Sequence, residues 1–134
     1  PKAYAIRAFD FGSHGNEKSV AISNANGLNL TAYAVGDPTN LYVTIINKEH
    51  GLGARDAVVT IAPVGFPARS AEVMFLSASN GDAGAMSGIT LGGASITNNA
   101  PWRGKWTPIK LKKFSQCELN VPAASAVVVK ILAR

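Results

Sequence analysis

Apolar and polar residues alternate with a period of two in short runs along nearly the whole sequence. That period commits a chain to strands with one buried face. In Leu28–Ala34, Leu28, Leu30, Ala32 and Ala34 share one side while Asn29, Thr31 and Tyr33 share the other. Leu41–Lys48 repeats the pattern, with Leu41, Val43, Ile45 and Asn47 opposite Tyr42, Thr44 and Ile46. Gly36-Asp37-Pro38-Thr39-Asn40 separates the two runs, a loop length and chemistry that predict a hairpin. Ser125–Leu132 is apolar on both faces (Ala126-Val127-Val128-Val129, then Ile131 and Leu132), as expected of a central strand buried from two sides.

The remaining runs extend the same reading. Tyr4–Phe9 alternates with Tyr4, Ile6 and Ala8 on one face, and Ser19–Ile22 reads as a short strand closed by Asn24-Ala25-Asn26-Gly27. Ala57–Ala62 and Ala71–Ser77 are strands joined by a loop containing Pro63, Gly65 and Pro67. Ile89–Thr97 carries two strand halves kinked at Gly92-Gly93, and Ile109–Lys112 and Cys117–Val121 follow. Val, Ile and Thr number 11, 9 and 7, punctuated by 13 Gly and 7 Pro, which favours stiff strands and tight turns over helices. No long amphipathic helix and no internal repeat is present. The expected fold is therefore all-β, a two-sheet antiparallel β-sandwich of about 8–10 short strands. Its core should include Leu30, Val43, Ile45, Val59, Ile61, Val73, Phe75, Leu111, Val127 and Val129.

A chain of 134 residues is one domain, 1–134, and 47% apolar against 16% charged residues excludes disorder. The single Cys117 has no partner for an internal disulfide and belongs to no multi-thiolate zinc site. No apolar run approaches the roughly 20 residues of a membrane-spanning helix, so no membrane partner is expected. Residue 1 is Pro and no signal-like segment precedes it, so the numbering is expected to begin inside a longer precursor.

Sequence signs of catalysis are few. Gly84-Ala85-Met86-Ser87-Gly88 places its serine one position late for a nucleophile elbow, and Gly51-Leu52-Gly53-Ala54-Arg55-Asp56 lacks the third glycine of a dinucleotide fingerprint. His14 and His50 stand in glycine-containing turns with no ligand at zinc-site spacing, and read as solvated turn residues. Glycoside hydrolysis requires two facing carboxylates, whereas the eight acids here are scattered. Asp10 and Glu72 are expected to form structural ion pairs with Arg7 and Arg69. The sequon Asn29-Leu30-Thr31 falls inside a strand and is assigned no role. No catalytic, cofactor-binding or metal-binding residue is identified, and no cofactor is expected.

One stretch stands out. Residues 1–67 carry five Lys/Arg and five Asp/Glu, residues 68–134 eight against three, so the whole net charge of +5 lies in the second half. Five of these cations fall between Arg103 and Lys113 with no acid among them. Trp102 and Trp106, interleaved with Arg103 and Lys105, have the chemistry to stack on sugar rings while cations hold carboxylates, or to stack on bases. Alternatively the indoles lid an open end of the sandwich or bury against a neighbouring domain. Lys110, Lys112 and Lys113 also have a simpler role, since lysines on an exposed strand blunt edge-to-edge pairing. Candidate contact residues are thus Trp102, Arg103, Lys105, Trp106, Lys110 and Lys112. With aromatics at 7% and basic charge confined to one segment, nucleic acid is the poorest fit and is not expected as a partner.

Three segments in order, Leu30–Lys48, Gly88–Trp106 and Val121–Ile131, resemble the C-terminal β-sandwich of family 79 glycoside hydrolases, the β-glucuronidase and heparanase-like enzymes, or of a related clan A glycosidase. The motifs are the Asn47-Lys48 strand end, the Thr90–Gly93 turn, the Trp102–Trp106 loop and the Pro122–Ala126 strand start. Similar sandwiches accompany families 30, 39 and 51. The resemblance implies a non-catalytic companion of a (β/α)8 barrel that holds the catalytic glutamates elsewhere in the same polypeptide, and a secreted or periplasmic setting. It also implies a sheet that borrows a strand from upstream, which would leave an exposed edge or a dimer. Two functions follow as expectations: an accessory domain supporting that barrel, or an independent module for acidic polysaccharide using Trp102, Trp106 and the basic stripe 103–113.

Overall fold

The computed structural model describes residues 2–134. Nine strands form two antiparallel sheets. They are β1 (Asn16–Lys18), β2 (Leu30–Gly36), β3 (Asn40–Asn47), β4 (Ala57–Ile61), β5 (Ala68–Ala78), β6 (Ile89–Leu91), β7 (Thr107–Ile109), β8 (Cys117–Val121) and β9 (Ser125–Ala133). The large sheet runs β1-β2-β3-β9-β5-β6, with β7 paired to the same outer edge of β5 below β6. The small sheet is β4-β8 alone, so each of its strands has one unpaired edge.

Register follows the alternation. In the β2–β3 hairpin Ala32 faces Ile45 and Ala34 faces Val43, so the apolar side chains meet on one face. Asp37 shapes the connection: its Oδ1 accepts from the Thr39 hydroxyl, the Thr39 amide and the Asn40 amide, all at 2.7 Å. β9 lies between β3 and β5, as its two-sided apolarity predicts. Val127, Val129 and Ile131 pack with Val43, Ile45, Ala71 and Val73 against Ala57, Ile61, Leu119 and Val121 of the small sheet. Leu30, Val59, Phe75 and Leu111 border this core, half-buried.

One buried polar residue ties the two sheets together. Asn47, at the end of β3, is 1% exposed. Its Nδ2 donates to the carbonyls of Arg55 and Val121 at 3.0 Å each, and its Oδ1 accepts from the Glu49 amide at 3.1 Å. All the polar capacity of the buried side chain that the turn requires is met.

Four sequence expectations are corrected. Of Ile109–Lys112 only Ile109 belongs to a strand, as the last residue of β7, and beyond it Leu111 makes a single bridge to Cys117. Tyr4–Phe9 is not a strand but part of helix α1 (Lys2–Gly12), which lies on the far face of the large sheet. Tyr4, Ala8 and Phe11 recur at helical spacing and face inward with Met74 and Leu91. Six alternating residues satisfy both periods, and only the sheet surface available to the segment decides between them. The approach is close at Gly12, where a Cβ would lie 2.8 Å from Thr44 Oγ1 and 3.2 Å from Val128 Cγ1. Ser19–Ile22 forms no strand; Val20 and Ile22 are exposed, and the preceding Asn16–Lys18 pairs with β2 instead. Of Ile89–Thr97 only Ile89–Leu91 is a strand. Gly92 and Gly93, at φ 58° and 76°, turn the chain so that Ala94 hydrogen-bonds back to Leu91, and the second half leaves the sheet.

Candidate functional site

The two tryptophans are fastened to the chain's own helix. The turn at Gly92-Gly93 sets the Trp102–Trp106 loop: the Gly92 amide donates to the Phe75 carbonyl at 2.9 Å, and the Lys105 amide donates to the Gly92 carbonyl at 3.0 Å. A Cβ on Gly92 would meet the Lys105 backbone at 2.8–2.9 Å, so the two backbones touch. Trp102 Nε1 donates to the Leu91 carbonyl at 3.1 Å, and its ring lies over Gly104, where any Cβ would collide with the indole.

Across from the loop, Phe11 of α1 sits between the indoles, with its centroid 5.3 Å from Trp102 (tilted by 36°) and 6.0 Å from Trp106 (edge-on at 77°). Such offset and edge-on pairs are worth about 0.5–1.5 kcal/mol each beyond area burial. The Arg7 guanidinium covers the outer side, 4.6 Å from the Trp102 ring centre and 5.4 Å from Phe11. Tyr4 completes the clamp: the Ile96 amide donates to its hydroxyl at 2.8 Å. Both indoles remain half-buried. Tyr4 and Arg7, which sequence reasoning placed on a strand, and Phe11 just beyond that strand are thus the partners of the tryptophans; their i, i+3, i+7 spacing was the available signal.

The basic stripe does not form one patch. Arg103 and Lys105 are exposed on the tryptophan loop, which hangs from Leu91, opposite Leu76 of β5. Lys110 is exposed just after β7. Lys112 lies in a groove with Ala68, at the other end of β5, and its Nζ is 2.9 Å from Glu118 Oε2. Eight residues of strand separate Leu76 from Ala68, roughly 26 Å at the strand rise. The expected ion pairs of Asp10 with Arg7 and of Glu72 with Arg69 are not formed among the described residues. Arg7 is instead drawn over the aromatic rings, and the other ion pair found joins Arg55 to Glu49 at 3.5 Å.

The perturbed titratable groups brace turns rather than gather in a cleft. Asp37 is held down at about 2, first by the Thr39 hydroxyl and then by the Thr39 and Asn40 amides. Asp56 is lowered by the Ala123 amide and Asn120, and Glu49 by the Asn29 amide. Burial pushes the Cys117 thiol up to about 11. Among the described residues no three His, Cys, Asp or Glu side chains come together as a metal site would require. His50 Nδ1 lies 2.9 Å from the carbonyl of Lys48, and His14 packs against Tyr42.

Several large apolar side chains of the described residues face water, and two of them lie together on one helix. Ile6 and Phe9 on the outer side of α1 are 69% and 74% exposed, and Ile6 lines a shallow hollow with Ala3, Arg7, Asp10 and Ile96.

No protein-family model and no curated protein matches this sequence. Solved structures do share its fold. A family 30 endoxylanase from Clostridium papyrosolvens C71 superposes over 98% of this chain with a TM-score of 0.62 at 15% identity. CelM2, a bifunctional glucanase-xylanase from a metagenome library, matches over 79% with a TM-score of 0.53 at 23% identity. A Paenibacillus polymyxa xyloglucanase of family 44 matches over 79% with a TM-score of 0.52 at 14% identity. The shared fold covers 28%, 16% and 17% of those three chains. The architecture is therefore glycosidase-related, shared with families 30 and 44, and corresponds to a minor part of each enzyme.

Proposed function

We propose that this chain is a non-catalytic accessory β-sandwich of a glycoside hydrolase, packing beside and supporting a (β/α)8 catalytic barrel of the same polypeptide. The observation that carries the reading is the outer face of α1. The inner face of that helix is already occupied by the sheet and the tryptophan loop, yet Ile6 and Phe9 still face water. Burying two such side chains against a neighbouring domain is worth roughly 3–5 kcal/mol. The tryptophans serve the same arrangement from behind, because Phe11, Arg7 and Tyr4 lock α1 onto the sandwich and give the docking face a rigid backing. Arg103 and Lys105, exposed on the adjoining loop, form its polar rim, while Lys110 and Lys112 lie outside it. The match to a minor part of each related enzyme is consistent with this role. A β-glucuronidase-like parent is the finer form of the proposal and rests on the sequence motifs given above.

The test compares two contexts. Ile6→Glu and Phe9→Glu should leave the melting temperature of the separate 134-residue chain unchanged, and should lower that of the polypeptide carrying the barrel. The separate chain should hydrolyse neither xylan, β-glucan nor an aryl glucuronide. Turnover by the pure chain that disappears when one of its own carboxylates is replaced would refute the proposal, as would equal stability of parent and variants in the full polypeptide.

A further inference from the structure

Arg69, Lys112, Lys113 and Arg134 rim an open groove of about 540 Å³ whose wall includes Phe114 and Ser115, and no acid lines it. Lys112 is engaged by Glu118, and Arg134 Nε donates to the Ala68 carbonyl at 3.4 Å. Arg69 and Lys113 have no carboxylate within ion-pair distance among the described residues. Phe114 projects beside them, 84% exposed.

The backbone that presents this ring is strained. Phe114 and Ser115 both lie in the left-handed region, at φ 59° and 62°. Two consecutive side-chain-bearing residues there are disfavoured and persist only where surrounding contacts hold them. Here the Lys112 amide donates to the Gln116 carbonyl at 2.6 Å, and the Ala68 amide donates to Ser115 Oγ at 2.9 Å, fixing the turn to β5. The neighbouring Leu111 and Cys117 are packed into the core, whereas the phenyl ring is turned out into water between cations. Folding gains nothing from an aromatic ring held outward on a strained turn. A ligand that stacks on it does.

We propose that this groove binds a uronate-bearing polysaccharide, with Phe114 stacking on a sugar ring and Arg69 and Lys113 taking its carboxylates. The site is distinct from the tryptophans: Phe11 and Arg7 pack on Trp102, and Phe11 meets Trp106 edge-on. Polysaccharide as the polyanion rests on the accessory-domain reading; an anion site here does not. A single-stranded nucleic acid calls for several aromatics to stack successive bases, and this groove has one. An acidic protein calls for a contact of about 800 Å² per side with an apolar centre, which one ring among cations does not supply.

The experiment titrates the 134-residue chain with oligogalacturonate, neutral xylo-oligosaccharide, poly-glutamate and a single-stranded oligonucleotide, followed by NMR. Oligogalacturonate should shift the amides of Lys113, Phe114 and Ser115, leave the Trp102 and Trp106 indole signals in place, and weaken with added salt. The neutral sugar should shift nothing. Phe114→Gly should weaken binding about tenfold or more while the fold melts no lower, since glycine accepts the left-handed turn. Arg69→Glu with Lys113→Glu should abolish binding. The proposal is overturned by absence of shifts at millimolar oligogalacturonate, by shifts confined to the indoles, or by poly-glutamate or the oligonucleotide binding as tightly with Phe114→Gly without effect. None of these results touches the docking face of α1, which the Ile6 and Phe9 variants test separately.

Discussion

Asn47→Leu is the most informative single perturbation of the sandwich. Leucine keeps the branched outline of asparagine but is bulkier, so the change leaves no cavity and adds some crowding to the lost polar contacts. The parent side chain makes three hydrogen bonds, two as donor to the Arg55 and Val121 carbonyls and one as acceptor from the Glu49 amide. Only the contact with Val121 is wholly buried; the other two are part-buried and recover some water on substitution. Leaving one buried carbonyl unsatisfied and two groups partly so costs about 3 kcal/mol, at roughly 1 kcal/mol per group. Partly offsetting this, leucine gains apolar burial, so about 2–3 kcal/mol net is expected. At about 2.1 cal/mol/K per residue, a 134-residue domain should then melt about 7–11 °C lower. Asn47→Asp should be at least as damaging, because it replaces the donor with a charge facing two carbonyls. Paired thermal and urea melts measure both variants, with Asn99→Leu in the exposed loop after β6 as control. If Asn47→Leu melts within 2 °C of the parent, the side chain is not the tie between the sheets and the energetic reasoning is wrong.

Other predictions follow from the same contacts. The Asp37 carboxyl is lowered from 3.8 to about 2, so the stability it contributes is complete above about pH 4 and is lost as the pH falls toward 2; Asp37→Asn should flatten that part of an acid-denaturation curve. Glu49 and Asp56, also lowered, act in the same direction, so the parent should show no compensating gain in that window. Gly104→Ala should expel the Trp102 indole from its seat, shift tryptophan emission to the red and cost about 1–3 kcal/mol; an unchanged spectrum would show that the ring does not rest there. Cys117, fully buried and with its thiol raised to about 11, should react with a thiol reagent only as fast as β8 opens, and its labelling rate should climb steeply in mild urea. Prompt labelling in native buffer would place Cys117 at an accessible edge.

Strands whose fate depends on their own pattern and the turns beside them were legible in the amino-acid order. Leu30–Gly36 and Asn40–Asn47 alternate cleanly around a loop that Asp37 closes locally, so their pairing and register needed no distant information. Ser125–Ala133 announced a central place because both its faces are apolar, and only the middle of a layered fold covers both. Other features answered to partners far away in sequence. Tyr4–Phe9 is compatible with either period, and the surface around Met74 and Val128 selected the helix. The tryptophans showed their number and spacing but not their contacts, because Phe11 and Arg7 lie about ninety residues earlier and come near only once α1 has docked. A run of cations reads as one patch in sequence, yet the path along β5 carries its two ends to opposite ends of the sheet. Periodicity and turn chemistry act over a few residues and are therefore carried by the chain itself. Which face is covered, which charge is paired and which ring is left in water depend on segments that meet only in the folded state, and those the tertiary structure decided.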